Sequence, residues 1–326
     1  MILDVQDLKT YYSTLRGSVK AVDGVNLQVD RGEALGLAGE SGCGKTTVAL
    51  SILRILPKGG RIAGGRILFK GEDLAKLREK EMRKVRWKRA SIVFQGAMNA
   101  LNPLFKVGDQ IAETILTHES GVNKKEALKR TENLMETVGL EPSRAKDYPH
   151  ELSGGMRQRG LIAMALACNP ELLIADEPGT ALDVIVQAQV LKLLSGLKDR
   201  LNLAMIMITH DLSMITETCE KVAIMYAGKI VEQGDIVSVF KKPLHPYTHG
   251  LVTAFPHIKA AKRRMTSIPG FPPDLLDPPT GCRFHPRCPY AEDICKRKEP
   301  RSMKVAAANQ YVACHLVESG KMEALL

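Results

Sequence analysis

Gly39-Glu40-Ser41-Gly42-Cys43-Gly44-Lys45-Thr46 fits the pattern G-x-x-x-x-G-K-[ST]. Glycines at these places let the backbone curl so that successive N–H groups point inward at phosphate oxygens, and a helix starting near Lys45 adds the positive end of its dipole. Lys45 would reach the β- and γ-phosphates of a nucleotide, and the Thr46 hydroxyl would take a place on Mg²⁺. Much later, Leu172-Leu173-Ile174-Ala175-Asp176-Glu177 is an apolar run ending in two carboxylates. If its strand lies beside the strand of the glycine loop, Asp176 can hold Mg²⁺ through water and Glu177 can orient attacking water as general base. Acids at a strand end are more often merely solvated; the glycine loop earlier in the same chain turns the reading toward phosphoanhydride hydrolysis.

A further chemical group is made of sulfur. Of seven cysteines, Cys43, Cys168 and Cys219 are scattered, whereas Cys282, Cys288, Cys295 and Cys314 crowd the C-terminal end. In a reducing compartment such a cluster suggests metal before disulfide. The spacing lacks the paired C-x2-C knuckles of most structural zinc sites, yet four thiolates make a complete ligand set, so zinc, another metal, and metal-free thiols or disulfides all stay open.

The elements that must position these groups are legible as periodicity. Ile2 to Asp30 alternates apolar and polar residues around a loop at Ser13 to Ser18, which predicts an opening layer of antiparallel strands. Ala34 to Ala38 reads as a strand entering the glycine loop, and Thr46 to Leu56 as a helix ended by Pro57. A basic helical stretch over Leu74 to Arg89, a strand over Ser91 to Phe94 and a helical middle over Val107 to Val138 follow. Then come helix Gly155 to Cys168, strand Leu172 to Ala175, helix Val184 to Arg200, strand Ala204 to Thr209, helix Leu212 to Cys219 and strand Val222 to Tyr226. This alternation predicts an α/β protein with a parallel sheet and helices on its faces. After about Phe240 the composition turns basic and proline-rich, which predicts a separate appendage.

Composition bounds the rest. The chain has 326 residues, 44% hydrophobic and 25% charged, and so can bury a proper core. A membrane span needs roughly 18 consecutive apolar residues, whereas the best candidate, Gly160 to Pro170, stops at eleven uncharged positions, and the first residues lack the charged and apolar regions of a signal peptide, so the expectation is a cytoplasmic protein. A formal charge of +10 suits polyphosphate, nucleic acid or an anionic membrane face. One Trp and 5% aromatics provide few stacking platforms, which weighs against a nucleic-acid-binding module.

Leu152-Ser153-Gly154-Gly155-Met156-Arg157-Gln158-Arg159 opens a second glycine-rich helix N-terminus, and it resembles the signature of ATP-binding cassette (ABC) ATPases. The resemblance covers essentially the whole chain. It implies a P-loop core with a mixed sheet, an N-terminal antiparallel β layer and an inserted α-helical subdomain at about 96–165, together spanning 1–240, plus a small irregular Cys-rich extension over 241–326. It also implies that Ser153, Gly154 and Gly155 of one subunit close over ATP held by Gly39, Ser41, Gly42, Cys43, Gly44, Lys45, Thr46 and Thr47 of another. Position by position, Gln95 resembles the glutamine that contacts Mg²⁺ and couples to a membrane subunit. Asp183, in Ala181-Leu182-Asp183, resembles the D-loop acid that crosses to the partner site; His210 resembles the histidine that senses γ-phosphate; Tyr12, with Tyr11 as runner-up, resembles the aromatic that stacks on adenine. One departure is Gly179, where the family usually has Thr or Ser.

Phe94-Gln95-Gly96-Ala97-Met98-Asn99-Ala100-Leu101-Asn102-Pro103, Met156 in the signature and His245-Pro246-Tyr247-Thr248 bring the chain closest to dipeptide and oligopeptide importer ATPases. That likeness implies ATP and Mg²⁺, permease subunits, a second ABC ATPase chain (related or identical), an extracellular substrate-binding protein as indirect partner, no nucleic acid, and a peripheral place on the cytoplasmic face of the membrane. It further implies a [4Fe-4S] cluster on Cys282, Cys288, Cys295 and Cys314, with zinc as alternative. Oligosaccharide or metal-chelate import by the same motor is the alternative function. A non-transport ABC ATPase of DNA repair or translation is disfavoured by the short stretch between Gln95 and Leu152, which leaves no room for a long coiled-coil arm.

Overall fold

The computed structural model describes residues 1–94, 96, 100–254 and 268–321. The first half of the chain runs β1 (Leu3–Thr14), β2 (Gly17–Val29), β3 (Ala34–Ala38), α1 (Lys45–Leu53), β4 (Gly60–Phe69), the two-residue β5 (Glu72–Asp73), α2 (Glu79–Val85), β6 (Ala90–Val93), α3 (Val107–His118), α4 (Lys124–Thr137) and α5 (Gly154–Ala165). It continues with β7 (Leu172–Asp176), α6 (Val184–Leu201), β8 (Ala204–Thr209), α7 (Leu212–Thr218), β9 (Lys221–Tyr226), β10 (Lys229–Asp235), α8 (Ile236–Lys241), α9 (Pro246–Thr253), α10 (Asp293–Arg297), β11 (Met303–Val305), β12 (Gln310–Val312) and α11 (His315–Glu318).

Two sheets organise these elements. The N-terminal sheet has the order β2-β1-β4-β5 and is antiparallel, as the alternation in Ile2 to Asp30 predicts. The larger sheet has the order β11-β12-β10-β9-β3-β8-β7-β6; β9, β3, β8, β7 and β6 are parallel, and β10, β12 and β11 continue it antiparallel. Every residue of β3, β7 and β8 is buried, as expected of parallel strands covered on both faces.

Side-chain alternation along these strands assigns the layers. Leu35, Leu37, Leu172, Ile174, Ile206 and Ile208 point into a core shared with α1 and the N-terminal sheet. Ala34, Ala38, Leu173, Ala175, Met205 and Met207 point the other way, into a core shared with α3, α5 and α6. Tyr247 and Phe284 belong to that second core, and β12 pairs with β10, so the segment after 241 is built onto the main sheet.

The structure differs from the sequence reading in several places. The helix expected over Leu74 to Arg89 is a short 3-10 turn followed by α2, because Trp87 takes a left-handed φ of 65° and the chain turns into β6. The long helical middle is broken into α3 and α4 near Gly121, which has φ 92°. β4 has no counterpart in the sequence reading: four glycines from Gly59 to Gly65 interrupt its alternation, and a Cβ on Gly65 would lie 2.4 Å from the Asp7 carbonyl oxygen across the sheet. No helix among the described residues is long and apolar enough to cross a membrane.

Candidate functional site

The C-terminal edge of the large sheet gathers the chemistry. β3 leads into Gly39–Gly44 and then α1; β8, its neighbour, ends at Thr209 and delivers His210; β7 ends at Asp176 and delivers Glu177. The acids therefore lie one strand further from the glycine loop than the sequence reading supposed, with β8 between. Pairing of Ala38 with Thr209, and of Asp176 with Ile208, still sets all three strand ends at nearly one level.

Two glycines show why the loop needs them. Gly39 has φ 149° and a Cβ there would lie 2.1 Å from the Met225 carbonyl oxygen; Gly44 has φ 109° and its Cβ would lie 2.2 Å from the Ala21 carbonyl oxygen. Lys45 is buried and donates to the carbonyls of Gly39 (2.7 Å) and Glu40 (3.0 Å). Burial, with the neighbouring Glu177 charge, holds the Asp176 carboxyl above its ordinary range, against the opposing effects of the Thr46 hydroxyl and Lys45. Asp176 Oδ1 is buried without a hydrogen-bond partner. An orphaned carboxylate oxygen beside a threonine hydroxyl is a donor set that suits a hard cation, so these residues fit Mg²⁺.

Glu177 Oε1 lies 2.8 Å from His210 Nδ1 and accepts from the His210 backbone N–H at 3.2 Å, while Thr180 donates to Oε2 at 3.1 Å. Glu177 itself has φ 50°, an uncommon left-handed setting for a non-glycine residue that turns its side chain toward the cleft. The cleft is lined by Gly39 to Gly42, Gly44 to Thr47, Glu177 and His210, and also by Leu251 and Leu275.

The remaining expected residues fall elsewhere. Cys43 is buried, its thiol raised by burial, with Lys45 opposing. Tyr12 OH is 3.4 Å from Thr47 Oγ1 at the start of α1, whereas Tyr11 OH donates to Asp23 at 2.7 Å. Ser153 caps α5, accepting from the Met156 N–H, and Asp183 caps α6, accepting from the Val186 N–H. Neither they nor Gly154 and Gly155 line the cleft of their own chain. Gln95, with Ala97, Met98 and Asn99, lies outside the described residues.

Cys282, Cys288, Cys295 and Cys314 are free thiols. Burial pushes the Cys282 thiol up to about 12 and Cys288 to about 11, and raises Cys314; the neighbouring cysteines push each of them further up. Among the described residues, no group of three or more His, Cys, Asp or Glu is arranged as a ready metal site.

Sequence reasoning missed Leu251 and Leu275 in the cleft, the local bond from Thr180 to Glu177, and the hold of Tyr247 and Arg287 on Glu40, treated below. No local pattern marks Leu251, Leu275, Tyr247 or Arg287, because each reaches the loop only through the fold.

Residues 22–180 match the ABC transporter family, and residues 231–295 match the oligopeptide/dipeptide transporter C-terminal region. The probable peptide ABC transporter ATP-binding protein y4tR of Sinorhizobium fredii is 48% identical over 304 residues, 92% of this chain and 90% of the relative. The oligopeptide transport ATP-binding protein OppD of Escherichia coli is 46% identical over 301 residues, 92% of this chain and 89% of the relative. Among solved structures, the dimeric MJ0796 bacterial ABC transporter cassette superposes with a TM-score of 0.65 at 25% identity, covering 72% of this chain and 99% of that one. The fold and cleft are those of an ABC ATPase. The chain belongs to the ABC transporter ATP-binding proteins that carry the oligopeptide/dipeptide transporter C-terminal region.

Proposed function

We propose that the chain is the ATP-hydrolysing subunit of a dipeptide or oligopeptide importer, acting on the cytoplasmic face of the membrane with permease subunits, a second ABC ATPase chain and an extracellular binding protein. The observation that carries this reading is one chain with a P-loop cleft and a peptide-transporter C-terminal region, alongside peptide-transport relatives matched over about nine-tenths of their length. In this mechanism the loop N–H groups and Lys45 bind the phosphates, and Tyr12 stacks on adenine. Thr46 and Asp176, with Gln95, would hold Mg²⁺, which supplies positive charge against the phosphates. Glu177 takes the proton of the attacking water, and His210 holds Glu177 in place at 2.8 Å. Ser153, Gly154 and Gly155 cap the ATP of the partner chain, with Asp183 beside it; the cap positions of Ser153 and Asp183 at helix N-termini support this reading. ATP binding closes the pair and hydrolysis reopens it.

The extension would hold a [4Fe-4S] cluster on Cys282, Cys288, Cys295 and Cys314, giving it a structural clip; zinc is the alternative. One feature supports this reading: the Cys282 N–H donates to the Cys295 carbonyl at 2.8 Å, which ties two of the four cysteines together. Iron and acid-labile sulfide in oxygen-free preparations test this, with zinc or no metal as the contrary results. The transport reading is tested by labelled dipeptide uptake in cells carrying the wild-type chain or Lys45→Ala. Uptake that depends on Lys45 supports it; dependence of oligosaccharide or metal-chelate uptake instead would redirect it.

A further inference from the structure

Glu40, the residue after the first glycine of the phosphate loop, is held at all three of its polar groups. Its carbonyl accepts from Lys45 at 3.0 Å. Its N–H donates to the Tyr247 hydroxyl at 2.9 Å. Its carboxylate receives both terminal nitrogens of Arg287, at 2.6 and 3.0 Å. Two of these three partners come from the segment after residue 241.

The grip on Arg287 is itself built. Its guanidinium donates to the carbonyls of Pro269 (2.8 Å) and Ile268 (3.2 Å) and to the Tyr226 hydroxyl (3.4 Å), and its side chain is only 5% exposed. Tyr226, Tyr247 and Phe284 form a ring cluster beneath it, with centroids 4.6 to 5.4 Å apart. Four positions earlier, Arg283 donates to the Ala227 carbonyl and to Asp23. It thereby steadies the turn whose Gly228 N–H donates to the Cys43 carbonyl at 2.8 Å. Cys282 and Cys288 bracket both arginines, so one short segment braces the phosphate loop near each end.

A carboxylate lining an anion cleft is an electrostatic problem. Glu40 lines the same cleft as Lys45 and Thr46, and uncompensated it would repel the triphosphate. We propose that Arg287 is a positioning residue for the phosphate loop: it neutralises Glu40 and pins it to the C-terminal extension, so that the loop offers an uninterrupted run of donors to ATP. The extension is thereby a working part of the nucleotide site.

The test is Mg·ATP and Mg·ADP affinity of the purified full chain carrying Arg287→Ala, Arg287→Lys, Glu40→Gln or the Arg287→Ala/Glu40→Gln pair. Arg287→Ala weakens ATP about tenfold or more and ADP less, since ATP carries the larger charge, and Arg287→Lys falls between. Adding Glu40→Gln to Arg287→Ala restores most of the ATP affinity, because the repelling charge is gone. A part that merely docks the extension would show equal losses for ATP and ADP and no rescue by Glu40→Gln, and that result overturns the proposal. Should Arg287→Ala not fold, Tyr247→Phe keeps the ring cluster and removes only the acceptor of the Glu40 N–H. It weakens ATP about threefold or more, and unchanged affinity overturns the proposal.

Discussion

Replacing Glu177 with Gln separates chemistry from binding. Glu177 Oε1 meets His210 Nδ1 at 2.8 Å and the His210 N–H at 3.2 Å, and Oε2 receives Thr180 at 3.1 Å. A glutamine amide has the same shape, keeps its oxygen against the His210 N–H, and can turn its NH₂ toward the Thr180 oxygen. The fold should therefore change by no more than about 0.5 kcal/mol. What the amide cannot do is accept a proton. Losing a positioned general base costs about 10² to 10⁴ in turnover, or roughly 3–5 kcal/mol of transition-state stabilisation. Phosphate release at saturating Mg·ATP reads the turnover, and titration with a fluorescent ATP analogue reads the affinity. The expected outcome is turnover down at least a hundredfold with affinity within about threefold, and ATP-bound pairs of chains that persist longer. Turnover within about threefold of wild type would refute the role of Glu177, as would an affinity loss that accounts for the whole effect.

Other outcomes follow from the same geometry. Tyr12→Ala should weaken ATP about tenfold through lost base stacking, while Tyr11→Phe, whose hydroxyl is spent on Asp23, should leave ATP affinity unchanged in the same titration. His245 is buried and its Nδ1 accepts from the Tyr247 N–H at 3.1 Å; burial lowers its pKa to about 3. The folded state thus resists a proton that the unfolded chain takes up below about 6.5, so stability is present above that pH and is lost as pH falls toward 3. His245→Asn, which keeps a helix-capping acceptor without titrating, should flatten that acid-side loss, by up to about 3 kcal/mol, in denaturant melts taken from pH 7 to pH 4. Mixing Lys45→Ala chains with Gly154→Asp chains should regenerate one composite site per mixed pair and recover about a quarter of wild-type turnover where the chain pairs with itself. Activity equal to the sum of the separate variants would count against sites shared between chains.

The phosphate loop was legible because its chemistry is contiguous: strand, glycines, lysine and helix follow one another, and local sterics decide the turn. The carboxylates at the end of β7 were legible as a pattern, but their distance from the loop was not. Spacing along the chain does not say that β8 lies between β3 and β7, nor that His210 will meet Glu177. β4 was hidden because glycine removes the alternation by which a strand is read. The clamp on Glu40 was least visible of all, since Arg287 lies 247 positions away and its basic neighbourhood reads as ordinary surface. Gly179, noted as a departure from the family pattern, now has a local reason: a Cβ there would lie 2.7 Å from Gln187 Cγ and 3.2 Å from Met214 Cε, so a larger residue would require those side chains to move.

The most direct measurement is ATP hydrolysis by this chain assembled in lipid vesicles with permease subunits, a second ABC ATPase chain and the binding protein of the proposed importer, with and without dipeptide. The account predicts hydrolysis that rises when peptide-loaded binding protein is supplied and vanishes with Lys45→Ala in this chain. Hydrolysis indifferent to peptide, or stimulated by an oligosaccharide or a metal chelate in its place, would contradict it.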